Sequence, residues 1–247
     1  MRATATEFRL RMAINAIIII LGFWAPWIEF WGAGHRISLI EWLALEMSRL
    51  GLGSFSVATT SLVIVAMLFA AAGATFRVWG TAYLGPSTVH SVHMIAGSVM
   101  ADGPYRYVRN PLYVGLWCMV AAMAFLMPAT GALVAVPLIT VFMIRLALGE
   151  EAYLTAQLGD PYQAYLGAVP RFIPRLRGAP KSTGTKAHWL RASLAELTPI
   201  GVLVAVAAFS RSYDLVLAGR IILVLFGVSL VVRALLPRAE VRSEPTR

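Results

Sequence analysis

The chain has 247 residues, 59% of them hydrophobic and 13% charged, with a formal net charge of +9 and a mean hydropathy of +0.73. A soluble domain of this length needs more polar surface, so the composition argues against that class and for an all-α, polytopic membrane bundle. The arginines stand beside apolar segments, so the positive charge points to anionic lipid and not to a nucleic-acid partner.

A spanning helix needs roughly 20 apolar residues, with about 17 as the lower limit. The first candidate runs from Leu10 to about Trp31, preceded by Arg9 and Arg11 and closed by Trp24, Trp27 and Trp31. No small-residue cleavage site precedes Trp24-Ala25-Pro26-Trp27, so secretory processing is not expected. The second candidate runs from about Ser54 to Phe76 and is followed by Arg77 and Trp79. The third and fourth, about Leu112–Met127 and Gly131–Leu148, are short and joined at Pro128 to Gly131, which forces an antiparallel hairpin. Cys118 lies within this apolar run and has no partner for a disulfide. The fifth, about Leu197–Phe209, reaches spanning length only if its helix begins near Trp189. The sixth, about Leu215–Leu236, requires Arg220 and Arg233 to snorkel from its ends.

Six spans place 17 of the 21 Lys and Arg on one side, leaving Arg36, Arg49, Arg211 and Arg220 on the other. The positive-inside bias therefore predicts both termini in the cytoplasm. The chain divides into an N-terminal membrane segment (1–76), a core (77–176) and a linker with two further helices (177–247). The linker is marked by basic composition with Gly, Pro, Ser and Thr between Arg175 and Lys186.

Polar chemistry concentrates at the mouth of the hairpin, in Gly103-Pro104-Tyr105-Arg106-Tyr107-Val108-Arg109-Asn110-Pro111-Leu112-Tyr113-Val114-Gly115. Asn110 suits an N-cap and Pro111 a first helical residue. Glu150 and Glu151 follow the second arm. Adjacent helical residues diverge by about 100°, so one faces the bundle and the other faces away. Two readings of the acidic pair stay open: a local salt bridge to Arg145, or one Glu binding a ligand while Arg145 receives an anion. His90 and His93 lack a third ligand nearby, so no metal is expected. Gly51-Leu52-Gly53-Ser54 follows no strand and lacks the third glycine of a dinucleotide fingerprint.

The tyrosine-rich motif, a short hairpin, Glu-Glu and the closing Tyr162-x-x-Tyr165-x-x-x-Val169-Pro170-Arg171-Phe172-Ile173-Pro174 together resemble the isoprenylcysteine carboxyl methyltransferase family. Phospholipid methyltransferase-like proteins share that motif set, and the resemblance covers about residues 77–176. It implies a membrane methyltransferase that uses S-adenosylmethionine in a cytosol-facing pocket and methylates a carboxylate or amine of a lipophilic substrate. By resemblance, Tyr105, Asn110, Pro111, Leu112, Tyr113 and Glu150 line the cofactor, Gly97, Ser98, Val99 and Met100 offer backbone contacts, and His90 adds a further one. Arg145 would face the substrate. With an amine acceptor, Glu151 or solvent would take the proton. Many relatives carry His where this chain has Asn110, and often His at Gly97. Membrane lipids are expected partners, and a bacterial inner membrane the expected location. Two other readings are a sterol-reductase-like enzyme using NADPH and a non-catalytic membrane protein that keeps the motif.

Overall fold

Capping residues and prolines cut the apolar runs into eleven α-helices and one 3-10 turn, with no strand beyond an isolated bridge between Ser38 and Pro128 among the described residues. The computed structural model describes residues 2–24, 37–89, 91, 94, 99–175 and 179–235. The helices are α1 (Ala5–Arg9), α2 (Arg11–Phe23), α3 (Leu39–Arg49), α4 (Phe55–Leu84), α5 (Pro86–Val89), α6 (Pro111–Ala124), α7 (Ala129–Leu158), α8 (Asp160–Ala168), α9 (Trp189–Ala195), α10 (Leu197–Ser212) and α11 (Leu215–Leu235).

The protein is all-helical and membrane-embedded. Three helices, α4, α7 and α11, are long and apolar enough to cross a bilayer, and a fourth span arises if the bent pair α9 and α10 counts as one. The expected six is not reached on length among the described residues. α2 has 13 residues and ends just before residues 25–36, which lie outside the described set. α6 has 14 residues, below the spanning limit of about 17. On α11, Leu223 is 70% and Val224 62% exposed, which suits a helix facing lipid. Arg220 is exposed on that helix; the Arg233 side chain lies outside the described residues.

Close backbone approach, not apolar burial alone, holds helices together where the surroundings are as apolar as the core. Between α4 and α6, a Cβ on Gly73 would lie 2.9 Å from the Met119 nitrogen, and one on Gly115 would lie 3.0 Å from the Arg77 nitrogen. Between α2 and α7, a Cβ on Gly131 would fall 1.8 Å from the Gly22 carbonyl oxygen. These contacts fix both arms of the hairpin against their neighbours.

α3 was not expected. A reciprocal capping box starts it: Glu41 N donates to Ser38 Oγ at 3.2 Å, and Ser38 N donates to Glu41 Oε2 at 2.8 Å. It covers the hairpin turn, with Leu39 N donating to Met127 O at 2.7 Å and Ile40 N to Phe125 O at 3.2 Å. The predicted second and fourth spans both extend further, α4 to Leu84 and α7 to Leu158.

The fifth segment does begin at Trp189, but α9 and α10 meet at an angle of 69°. Pro199 has no N–H for the carbonyl four residues earlier, and its ring crowds that carbonyl, so the helix breaks at Glu196. Glu196 is fully buried and takes Arg77 of α4 through Nη2 at 2.7 Å and Nε at 2.9 Å, plus the Thr81 hydroxyl at 2.7 Å. The bend therefore aims a carboxylate into the bundle, onto α4.

Candidate active site

Tyr113, in the first turn of α6, donates its hydroxyl to Glu150 Oε2 on α7 at 3.0 Å. The two ends of the hairpin thus meet, as the antiparallel arrangement requires. Around this contact lies a cavity of about 620 Å³ of empty volume, partly open to the outside and lined by Tyr105, Asn110, Pro111, Leu112, Tyr113 and Glu150. Phe8, Arg11, Arg77 and Arg109 complete its polar and aromatic wall, with Leu84, Thr88, Val89 and Met94.

The motif loop reaches the cavity through a 3-10 turn, Gly103–Arg106. Gly103 has φ +56°, and a Cβ there would come within 2.4 Å of the Tyr83 ring, so both conformation and space call for glycine. The turn carries Tyr105 inward, where it is 7% exposed. Its carbonyl accepts from Tyr165 Oη at 2.8 Å, while its own hydroxyl is buried without a hydrogen-bond partner. Burial, helped by the charge on Glu150, pushes the Tyr105 ionisation well above the ordinary phenol range. Tyr105 is therefore a standing hydrogen-bond donor on the cavity wall. Arg109 Nε, on the same wall, is also buried without a partner.

Asn110 is the N-cap residue of α6 and Pro111 follows it as read from the sequence, but the Asn110 side chain does not cap the helix. Its amide donates to Glu151 Oε1 at 3.1 Å and to Arg171 O at 3.3 Å. Glu151 points away from Glu150 by the helical step and binds Arg171 Nη2 at 2.8 Å and Arg109 Nη1 at 3.3 Å. With Arg109 N donating to Pro170 O at 2.8 Å and Arg175 N to Tyr107 O at 3.0 Å, this pins the closing segment to the motif loop.

Several expected site residues stand elsewhere. Glu151 does not line the cavity; its carboxylate is bound to Arg171, Arg109 and Asn110. Arg145 also lies outside the cavity lining and pairs with neither Glu150 nor Glu151. Its Nη2 binds Glu7 at 2.8 and 2.9 Å, and its carbonyl accepts from Ala3 N at 3.0 Å, so it joins the N-terminal segment to α7. Val99 packs into the Tyr162, Tyr165 and Val169 cluster, and neither it nor Met100 lines the cavity. His90, His93, Gly97 and Ser98 lie outside the described residues.

Other residues in and around the cavity escaped the sequence reading. Arg11 and Arg77 look like any basic residue at the end of an apolar run, and only the fold turns them inward. Arg171 stood in a quoted motif without a role. Asp102, fully buried beside the motif, gathers the linker: it accepts from Ser182 Oγ at 2.5 Å, Thr183 N at 2.8 Å, Thr185 N at 2.9 Å and the Thr183 hydroxyl. Burial alone would raise its pKa, but the Ser182, Thr183 and Thr185 bonds outweigh this and hold it well below the usual carboxylate range.

Fold and site together define an integral membrane protein with a polar, aromatic-walled cavity at one end of a helical hairpin. Residues 58–161, from α4 into α8, match the family model for phospholipid methyltransferase. A protein-S-isoprenylcysteine O-methyltransferase of Schizosaccharomyces pombe is 37% identical over 78 residues, which is 31% of this chain and 33% of the relative. The chain thus spans about a third of the length of that curated relative. No solved structure matches.

Proposed function

We propose that the chain is an integral-membrane methyltransferase that takes a methyl group from S-adenosylmethionine and transfers it to a carboxylate or amine of a lipophilic substrate. The observation that carries this reading is the Tyr113–Glu150 contact, which draws both arms of the hairpin around one cavity. The residues present suit the donor: Glu150 offers a carboxylate to a cationic ligand, Tyr105 an unpartnered hydroxyl, and Tyr113 an aromatic wall. When bound, S-adenosylmethionine supplies a methyl group on a positively charged sulfur, displaced in line.

The chain's own part is alignment and exclusion of water, which supply most of the catalysis in such a transfer. Tyr105 and Tyr113 present the electron-rich faces and hydroxyls that steady a cation, worth about 1 kcal/mol per ring contact. Asn110, with its amide bound to Glu151 and Arg171, fixes the rim with Pro111 and Leu112. Glu151 is already ion-paired, so an amine acceptor loses its proton elsewhere. The excess of Lys and Arg on the motif side supports a cytoplasmic site, with the donor arriving from water and the acceptor from the bilayer.

Incubation of the purified protein with methyl-labelled donor and total host lipids tests the reading. The expected outcome is one labelled lipid class, lost in Glu150→Ala. Absence of transfer together with absence of S-adenosylhomocysteine binding would reject it.

A further inference from the structure

We infer that Arg11 is an anion-binding residue of the cavity, placed to receive a carboxylate or phosphate of the bound ligand. Arg11 stands at the start of α2, well before the family-matched residues 58–161, yet it lines the same cavity as Tyr113 and Glu150. The inference rests on reading that cavity as a ligand site.

The cavity wall carries three arginines and one carboxylate. Arg77 is matched by Glu196 at 2.7 Å and Arg109 by Glu151 at 3.3 Å. Among the described residues, Arg11 takes part in no ion pair. Its Nη1 donates to Phe8 O at 2.9 Å, and its Nη2 donates to Val89 O at 3.1 Å and Ser91 O at 2.7 Å. The guanidinium carbon also lies 4.0 Å over the Phe8 ring. Neutral carbonyls and a ring hold the group still without cancelling its charge. A guanidinium has five N–H donors, so these three bonds leave two unused.

Glu150 is likewise in no ion pair among the described residues, its contact being the Tyr113 hydroxyl. The cavity therefore presents one cation and one carboxylate that attract each other across it without forming a direct ion pair, beside the unpartnered Tyr105 hydroxyl. That combination suits a ligand carrying both signs. An anion is the partner that a fixed, partly buried guanidinium binds best, by charge-assisted hydrogen bonds. Two sources share this chemistry: the carboxylate of the methyl donor's amino-acid end, and the carboxylate or phosphate of a lipid acceptor.

Titration calorimetry on the detergent-purified full chain separates them, using S-adenosylhomocysteine and its decarboxylated analogue against wild type, Arg11→Lys and Arg11→Met. If the anion is the donor's, wild type prefers S-adenosylhomocysteine, Arg11→Met weakens it by about 10- to 100-fold, and the analogue's affinity stays put. Arg11→Lys, which keeps the charge but not the fork, falls between. If the anion is the acceptor's, both nucleosides bind the variants as wild type, while the acceptor KM rises by a similar factor at little-changed kcat. Unchanged nucleoside affinities with an unchanged acceptor KM would overturn the inference. So would an equal loss for both nucleosides together with a lowered melting temperature, because that marks Arg11 as a staple between α2 and the carbonyls of Val89 and Ser91. A wild-type protein that binds neither nucleoside would instead overturn the methyl-donor reading, and this inference with it.

Discussion

Replacing Glu150 by Gln keeps the size of the side chain and removes the charge that the Tyr113 hydroxyl meets at 3.0 Å. Hydrogen bonds to charged groups are worth about 1.5–3 kcal/mol, so S-adenosylhomocysteine affinity should fall by at least about tenfold, with a smaller loss in Tyr113→Phe. Glu151→Gln should behave differently. It strips the carboxylate from a cluster where Arg109 is 12% and Arg171 40% exposed, leaving both cations under-compensated. Breaking a fully buried pair costs about 3–5 kcal/mol, and the exposure of Arg171 puts this one at or below the lower bound. The expected reading is a lowered melting temperature with ligand affinity much less affected than in Glu150→Gln. A sequence shows two identical side chains at these positions. The helical step tells that they diverge, but which one turns to the cavity depends on where Arg171 returns, some twenty positions later.

Helix packing sets a second group of expectations. Gly73→Ala would push a methyl group to 2.9 Å from the α6 backbone, and overpacking of this kind costs about 1–3 kcal/mol. A melting curve in detergent should show the loss, and since α6 carries Tyr113, donor affinity should fall with it. The segment from residue 179 to 188 reads as a plain linker, yet it is docked: Arg106 Nε donates to Pro180 O at 2.7 Å, His188 N to Ala82 O at 2.8 Å, and Asp102 gathers Ser182, Thr183 and Thr185. Because the folded state holds Asp102 below its unfolded value of about 3.9, the docking is fully supported above that pH and is lost only as pH falls toward the depressed folded value. Protease cleavage between residues 179 and 188 should accordingly stay flat from pH 8 to 5 in wild type and become fast at pH 7 in Asp102→Asn. Rapid cleavage of wild type at pH 7 would contradict the docked arrangement. Apolar length made α4, α7 and α11 legible in advance. The Ser38 and Glu41 capping box that starts α3 stands in the sequence but went unread, and α3 was missed. The 69° bend at Glu196 was not, because Pro199 near a helix start is ordinary, and only the packed Arg77 explains why the carboxylate turns inward.

For the whole molecule, the hairpin and its clasped closing segment form a polar end on an apolar bundle whose outer face, α11 above all, is left to lipid. If that end faces the cytoplasm, a single cysteine placed at Lys181 in a Cys118→Ala background should react with an impermeant thiol reagent in inverted membrane vesicles and not in right-side-out cells. The native Cys118 is buried, so its background should be low. The resemblance named Tyr105, Asn110, Pro111, Leu112, Tyr113 and Glu150 as cofactor-lining, and these six residues line one cavity. It had no view of Phe8, Arg11 or Glu196, which come from outside the shared core. The most direct test of the central claim is calorimetric titration of the purified chain with S-adenosylhomocysteine in wild type, Tyr105→Phe and Glu150→Gln. One-site binding that weakens in both variants, while their melting temperatures hold, is the predicted result; saturable binding that neither substitution changes would contradict it.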